Sequence, residues 1–382
     1  MFGATSIEST AIISQCLEFA EVWNVGKKEI CSGMNFVMAA KISYGELSIL
    51  SDYFPPKTKL AARLEMHEMT SQAAVPDPIY ILRGSEDTVT CLSFPGSSSE
   101  FLYSGSVNGT LYVWDMKTKR VVQSFKAHGD RSVLSISFLP GGQLITQGRD
   151  GCVQFWSYDK TSWTRSGNLK SSSLGFCSNA LLRDCSNIAV PSDIMSQVDI
   201  YDISNKQYIG KLRPTDGDTK FGTPMSIKSV ANNSNQSQLV IGYENGSIVL
   251  WDTRIFKMVD SLKCHEDSVM CMCYSKDFHT GFSASVDTKI QSWKISNFEN
   301  IQESSSVSIT NPGLNEIVTR DDQKILATAG WDSKIRIFGL KKLRPLAVLA
   351  YHKESVQCVG FSSDNYLAGG SKDRLISIWK VY

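Results

Sequence analysis

The chain has 382 residues, 42% hydrophobic and 20% charged, a globular composition long enough for two or three domains or for one repeat array. Its 39 basic side chains stand against 38 acidic ones, so no global field steers it toward nucleic acid or anionic lipid. No run approaches the roughly eighteen apolar residues of a membrane-spanning helix.

The N-terminal stretch "MFGATSIESTAIISQCLEFAEVW" lacks a basic n-region and carries Glu8 and Glu18 beside its apolar residues. That argues against a secretory signal. Ten cysteines are then expected as reduced thiols in a cytoplasmic and nuclear protein. Ile12, Cys16, Phe19 and Trp23 share one side of a short expected helix, and "FPPKTK" breaks whatever precedes it. Residues 1–77 show no turn-punctuated repeat and are read as an extension, poorly ordered or loosely docked. Met69 is a candidate alternative start.

Strand-like sequence begins at "PIYILRG", and from there seven segments end alike. They are "LYVW" at Trp114, "VQFW" at Trp156, "VDIY" at Tyr201, "IVLW" at Trp251, "IQSW" at Trp293, "IRIF" at Phe338 and "ISIW" at Trp379. Their spacing of 41 to 50 residues suits a four-stranded propeller blade. Three residues before the aromatic stand Leu111, Val153, Val198, Ile248, Ile290, Ile335 and Ile376. One residue before it the column is again mostly apolar, from Val113 to Ile378. In a strand these two columns share one face and the aromatic takes the other. Both faces are therefore apolar, as a strand sandwiched between blades requires. Six residues before the aromatic comes a turn residue, Asn108, Asp150, Asn245, Asp287, Asp332 or Asp373, with Met195 the exception. Asp and Asn suit tight hairpins because they bond to nearby backbone.

The sixth repeat, "KILATAGWDSKIRIF", places its Trp-Asp pair before the apolar run instead of after it. Asp332 is the turn aspartate there, Phe338 replaces the usual tryptophan, and Trp331 falls on a loop. The last repeat supplies three strands, and "PIYILRG" is expected to provide its fourth, closing the ring and removing exposed edges. The expected fold is all-β, a seven-bladed propeller over residues 78–382, closed by an N-terminal strand joining the last blade.

From about Ile79 to Tyr382 this pattern resembles the WD40 family. The resemblance implies a tetrad of His, Ser or Thr, Asp and Trp in well-formed blades. His128, Thr146, Asp150 and Trp156 fit one set, and His265, Ser283, Asp287 and Trp293 another. The last blade keeps His352, Asp373 and Trp379 but has Gly369 at the hydroxyl position, while the third repeat lacks both His and Asp.

Catalysis would need converging acid, base or nucleophilic groups. His128, His265 and His352 have repeat positions, leaving His67 in the extension and His279 in a hairpin loop. The His-hydroxyl-Asp combinations look triad-like, but their recurrence at one repeat position makes them structural props. Cys271 and Cys273 alternate with Met on a strand and lack a partner pair, so they read as buried thiols and not as a zinc site. No GxxxxGK[ST] loop is present. Neither catalysis nor a cofactor is expected.

Protein binding is the remaining class. Residues just before the turn position form a candidate ring of Val107, Arg149, Glu244, Val286, Trp331 and Lys372, with Tyr243 beside it. Arg and Trp are enriched in interface hot spots, so Trp331 leads, with Arg149, Tyr243, Glu244 and Lys372 secondary. "SIVLWDTR" resembles the box through which some WD40 proteins dock on a cullin–RING ubiquitin ligase adaptor, which makes Arg254 the marker of an alternative role as substrate receptor.

A narrower resemblance runs from Met69 to Tyr382 through "QGRDG", "SLGFCSNALL", "GTPM", "GYENGSIVLWD" and "TNPGLNEIVTRDDQKILATAGWDSKIRIF". It is to a branch of the family that is not expected to act as a heterotrimeric G-protein subunit. A true β subunit starts with a heptad-patterned helix paired with a γ chain, and no sustained heptads precede Ile79. The resemblance implies a scaffold in the maturation and stability of phosphatidylinositol-3-kinase-related kinases, working with the TTT co-chaperone complex and linked to ASTRA-type chromatin-remodelling assemblies. No direct nucleic acid, membrane or γ-subunit contact is implied.

Overall fold

The computed structural model describes residues 76–381 apart from 97–98, 183–184, 216–220, 231–237, 276 and 278. The segment carrying the expected helix, His67 and Met69 lies outside the described residues.

Alternating apolar runs cut by Gly, Asn and Asp turns produce seven four-stranded antiparallel sheets among the described residues. Blade 1 runs from its inner strand Val89–Ser93 through Phe101–Ser106 and Thr110–Asp115 to the outer strand Arg120–Lys126. Blades 2 to 6 repeat that order over 133–170, 180–212, 224–263, 269–308 and 314–350. Blade 7 takes three strands from 356–380, and Tyr80–Leu82 pairs with Ile376–Lys380 as its outer strand. The expected closure is present, and no open sheet edge remains between the chain's first and last blades.

The apolar columns separate as strand geometry demands. Leu111 and Val113 pack with blade 2 residues Val133, Ile136 and Leu144, whereas Trp114 packs with blade 7 residues Cys358, Ile376 and Ile378. Ile248 and Leu250 likewise meet blade 5, while Trp251 meets blade 3. Seven clusters of this kind lie among the described residues, one at each blade interface. Full burial of each large side chain contributes about 1.5–3 kcal/mol, so the ring is held by shared interfaces more than by any single sheet.

Two register shifts recur. One lies on the outer strand, where Val122, Ser166 and Val259 are the extra residues opposite the steps Val113/Trp114, Phe155/Trp156 and Leu250/Trp251. The other lies on the inner strand after its first residue, at Val89/Cys91, Val133/Ser135, Pro224/Ser226, Val269/Cys271, Leu314/Glu316 and Val356/Cys358. Such bulges turn out the extra residue and sharpen local twist. Blade 3, whose inner strand is only Ala180–Leu181, lacks the inner-strand bulge but keeps the shift at Ile200/Tyr201.

Candidate functional site

The blade turns are anchored from within. In blade 2, His128 Nδ1 lies 3.0 Å from Asp150 Oδ2 and its Nε2 lies 2.9 Å from Thr146 Oγ1. Trp156 Nε1 donates to the same hydroxyl at 2.9 Å. With Nδ1–H given to the carboxylate, Nε2 accepts the Thr146 proton, and the whole relay is satisfied. Burial pushes the Asp150 carboxyl up, but its bonds to His128 outweigh that and leave it below the ordinary carboxylate value. Thr146 and Ser283 are fully buried, so no substrate reaches either hydroxyl.

The other blades vary this scheme. In blade 5, His265 bonds Asp287 at 3.2 Å and Ser283 at 2.9 Å, yet the Trp293 indole N–H has no partner. The cause is Gly281, which faces Trp293 across the hairpin where blades 1 and 2 have Leu102 and Leu144. The indole lies over this glycine, and a Cβ there would strike the ring. The implied tetrad is thus three-membered. Blade 7 makes the opposite repair. Gly369 has no hydroxyl, but Ser377 directly across the strand pair accepts from Trp379 Nε1 and meets His352 Nε2, both at 2.8 Å. Blade 6 replaces histidine altogether, as Arg336 and Asn311 hold Asp332 at 2.6 and 2.9 Å.

In blades 2, 6 and 7 these clamps set the residue before the turn aspartate at the mouth of the central channel. Arg149, Trp331, Lys372 and Val107 line one cavity of about 720 Å³. Beneath them, the same cavity is floored by Thr90, Leu134, Met225, Met270, Asn315 and Gln357. Each of these is the residue turned out by an inner-strand bulge. The sequence signal was present, one residue after the first residue of each of these six inner strands, but a period-two reading hides a register slip.

The mouth is preorganised. The Trp331 indole lies on Gly313, where a Cβ would collide with it, and its N–H donates to Asn315 Oδ1 at 2.7 Å. Asn315 Nδ2 in turn donates to Val356 O at 2.7 Å, which ties the indole to blade 7. Trp331 nevertheless remains 42% exposed. Across the mouth, the Arg149 guanidinium stacks 4.0 Å from the Phe176 ring centroid and its Nε donates to Leu174 O. Gln147 pins the same loop from below by donating to Cys177 O and accepting from Asn179 N. Phe176 is thereby held in place while 68% exposed. Among the described residues, no acceptor lies on the terminal nitrogens of Arg149. Glu316 is the carboxyl of this cavity, accepting from Val359 N and pushed up by burial.

Four expected surface residues fall elsewhere. Tyr243 is a correction, since it is fully buried and packs its ring 5.1 Å from Phe221 inside the blade 3–4 cluster. It ends a strand whose neighbours point into that interface, so it offers no binding surface. Glu244 is exposed but does not line the cavity, and its carboxylate accepts from the Thr223 N–H and hydroxyl. Val286 also lies outside the cavity lining. Arg254 sits in the turn after its blade's third strand, at the opposite end from the mouth, and is engaged by Asp252 at 2.7 Å.

The third repeat's missing aspartate also has a consequence. Its turn presents Ile194 and Met195 to solvent on the mouth side, Met195 63% exposed. Leu174 is exposed on the same side. Exposed apolar side chains gathered around a fixed Arg and Trp have the composition enriched at protein interfaces. Among the described residues, no group of three or more His, Cys, Asp or Glu side chains could hold a metal ion. Cys271 and Cys273 are buried at the blade 5–6 interface, with burial pushing the Cys273 thiol up to about 12.

Comparison with known proteins agrees with this geometry. The WD domain, G-beta repeat model matches residues 76–115, 119–157, 256–294 and 343–380. The mouse guanine nucleotide-binding protein subunit beta-like protein 1 is 36% identical over 316 residues, spanning 80% of this chain and 97% of the relative. The chain belongs to the WD40-repeat family. This WD40 protein is also similar to the ASTRA-associated protein 1 of two fission yeasts. Identity is 29% for the Schizosaccharomyces japonicus protein and 27% for that of Schizosaccharomyces pombe. Each alignment covers 81% of this chain and all of the relative. The repeat model leaves blades 3, 4 and 6 largely unmatched, and none of those three carries the histidine relay.

Proposed function

We propose that this WD40 propeller is a non-catalytic scaffold whose partners seat on the channel mouth. The observation that carries the reading is the convergence of Trp331, Arg149 with Phe176, Val107 and Lys372 over a ring of six bulge residues. Each aromatic is fixed by its own hydrogen bond or stack, so binding costs little side-chain entropy. Apolar floor residues such as Met225 and Met270 accept an inserted side chain, while Arg149 offers a fork for a carboxylate or carbonyl.

The family resemblance supports a finer reading. In it, residues 78–382 serve as a factor for the maturation and stability of phosphatidylinositol-3-kinase-related kinases, working with the TTT co-chaperone complex in cytoplasm and nucleus. The names of the fungal relatives add a link to ASTRA-type assemblies. Acute depletion of the protein tests this. Steady-state levels of these kinases should fall with unchanged messenger RNA and recover with wild type but not Trp331→Ala. Unchanged kinase levels would refute the finer reading and leave the scaffold reading to binding assays.

A further inference from the structure

The end of the propeller away from the mouth carries a second feature. In blades 1, 3 and 4, the turn between third and outer strand has one shape, with left-handed backbone at Lys119, Lys206 and Phe256 (φ 61, 60 and 53°). Four residues earlier in each turn stands an aspartate. Asp115 accepts from Lys117 N and Thr118 N, Asp202 from Ser204 N and Asn205 N, and Asp252 from Arg254 N. Each carboxylate thus closes its turn and offsets nearby cations.

Blade 6 keeps the shape without the acid. Leu343 takes the left-handed position (φ 47°), but Gly339 stands where the aspartate would be. Leu340 and Leu343 are both buried in the blade 5–6 cluster and clip the turn from below. Lys342 and Arg344 are consequently held outward with no carboxylate in their turn. They line a groove of about 520 Å³ together with Lys324, Lys341 and the exposed Leu346. Of the acids in this groove, Asp322 is already engaged by Arg320 at 2.6 and 2.9 Å, which leaves Asp277. A smaller cavity shares Leu340 and Lys341 and adds Lys294.

We propose that this underside groove of blades 5 and 6 docks an extended acidic segment of a partner protein, distinct from whatever occupies the mouth. The charge excess fits Asp/Glu side chains, and the apolar step at Leu346 fits an interspersed apolar residue. That step, and the near-neutral charge of the whole chain, favour a peptide over a nucleic acid backbone.

The test uses the full chain and a fluorescein-labelled twelve-residue peptide alternating Glu and Leu, read by anisotropy. Wild type should bind it with an affinity that falls as salt rises. Lys342→Glu/Arg344→Glu should bind about tenfold more weakly. Trp331→Ala should bind as wild type does, and a Gln-for-Glu peptide should not bind. Both reversed residues are exposed turn positions, and Lys342→Gln/Arg344→Gln provides a milder variant should the first fold poorly. Equal affinity for wild type and both groove variants would overturn the proposal, as would loss of binding in Trp331→Ala instead. Tighter binding of duplex DNA or phosphatidylserine vesicles through the same residues would overturn the assigned partner class.

Discussion

Blades 2 and 6 hold the same turn aspartate by different chemistry. In blade 2 a hydrogen-bond relay runs from Asp150 through His128 and Thr146 to Trp156. In blade 6 the tryptophan is Phe338, Thr328 is left without a hydrogen-bond partner, and Arg336 grips Asp332 directly. The turns end in the same place, and the residues they present, Arg149 and Trp331, line the same cavity. The comparison teaches that the fold requires a clamped turn and is indifferent to which group clamps it. Variation in the clamp leaves the preceding residue free to serve binding.

The largest expected effect breaks the blade 6 side of this comparison. Asp332→Ala strands the Arg336 guanidinium, whose side chain is only 7% exposed, and should cost about 3–5 kcal/mol in chemical denaturation. His128→Ala strands no buried guanidinium and should cost less, about 1–3 kcal/mol. Equal losses would mean that the two clamps are energetically alike.

Next in size is the repaired relay of blade 7. Ser377→Ala deprives both His352 and Trp379 of their hydroxyl and should cost about 1–3 kcal/mol. Ser283→Ala in blade 5 should cost less, because the Trp293 N–H makes no use of that hydroxyl. The reverse order would show that the displaced indole matters less than the histidine alone.

Acid should weaken both kinds of clamp. Asp150, Asp332 and Asp373 all sit below the ordinary carboxylate value of 3.8, since His128, Arg336 and His352 outweigh the effect of burial. Depressed carboxylates contribute stability above their unfolded pKa and lose it as pH falls through the folded value. His265 is lowered from 6.5 by burial, so its contribution is also present above that value and lost as pH falls. Melting temperature should therefore be level around neutrality, dip below pH 6.5 and drop steeply in the carboxylate range. His265→Gln should flatten the shallow dip and leave the steep part. A melting temperature that rises on acidification would contradict these signs.

Much of the frame was legible in the sequence because it follows from strand alternation. The Leu/Val/Ile column beginning at Leu111 predicted opposite faces for Leu111 and Trp114, and the structure sends them to different blade interfaces. The closing strand was legible as a missing fourth strand. Features that depend on register were not. Thr90, Met270 and Asn315 reach the channel through bulges that shift the register by one residue. Ser377 is not legible from a fixed repeat offset, because a strand pair can supply the hydroxyl from either side. Tyr243 was misplaced because adjacency to a turn residue does not fix which face a strand's last side chain takes.

The smallest effect on stability belongs to the central residue of the site. Trp331→Ala, at a half-exposed loop position, should cost less than about 1 kcal/mol. That separation of stability from binding makes the decisive measurement possible. Tagged wild type, Trp331→Ala, Arg149→Ala and Lys342→Glu/Arg344→Glu would be matched for abundance and melting temperature, and TTT components recovered with each quantified by mass spectrometry. Selective loss of those components in the Trp331 and Arg149 variants is the predicted result. Equal recovery with all four proteins, or loss in the groove variant alone, would contradict the placement of the docking site at the mouth.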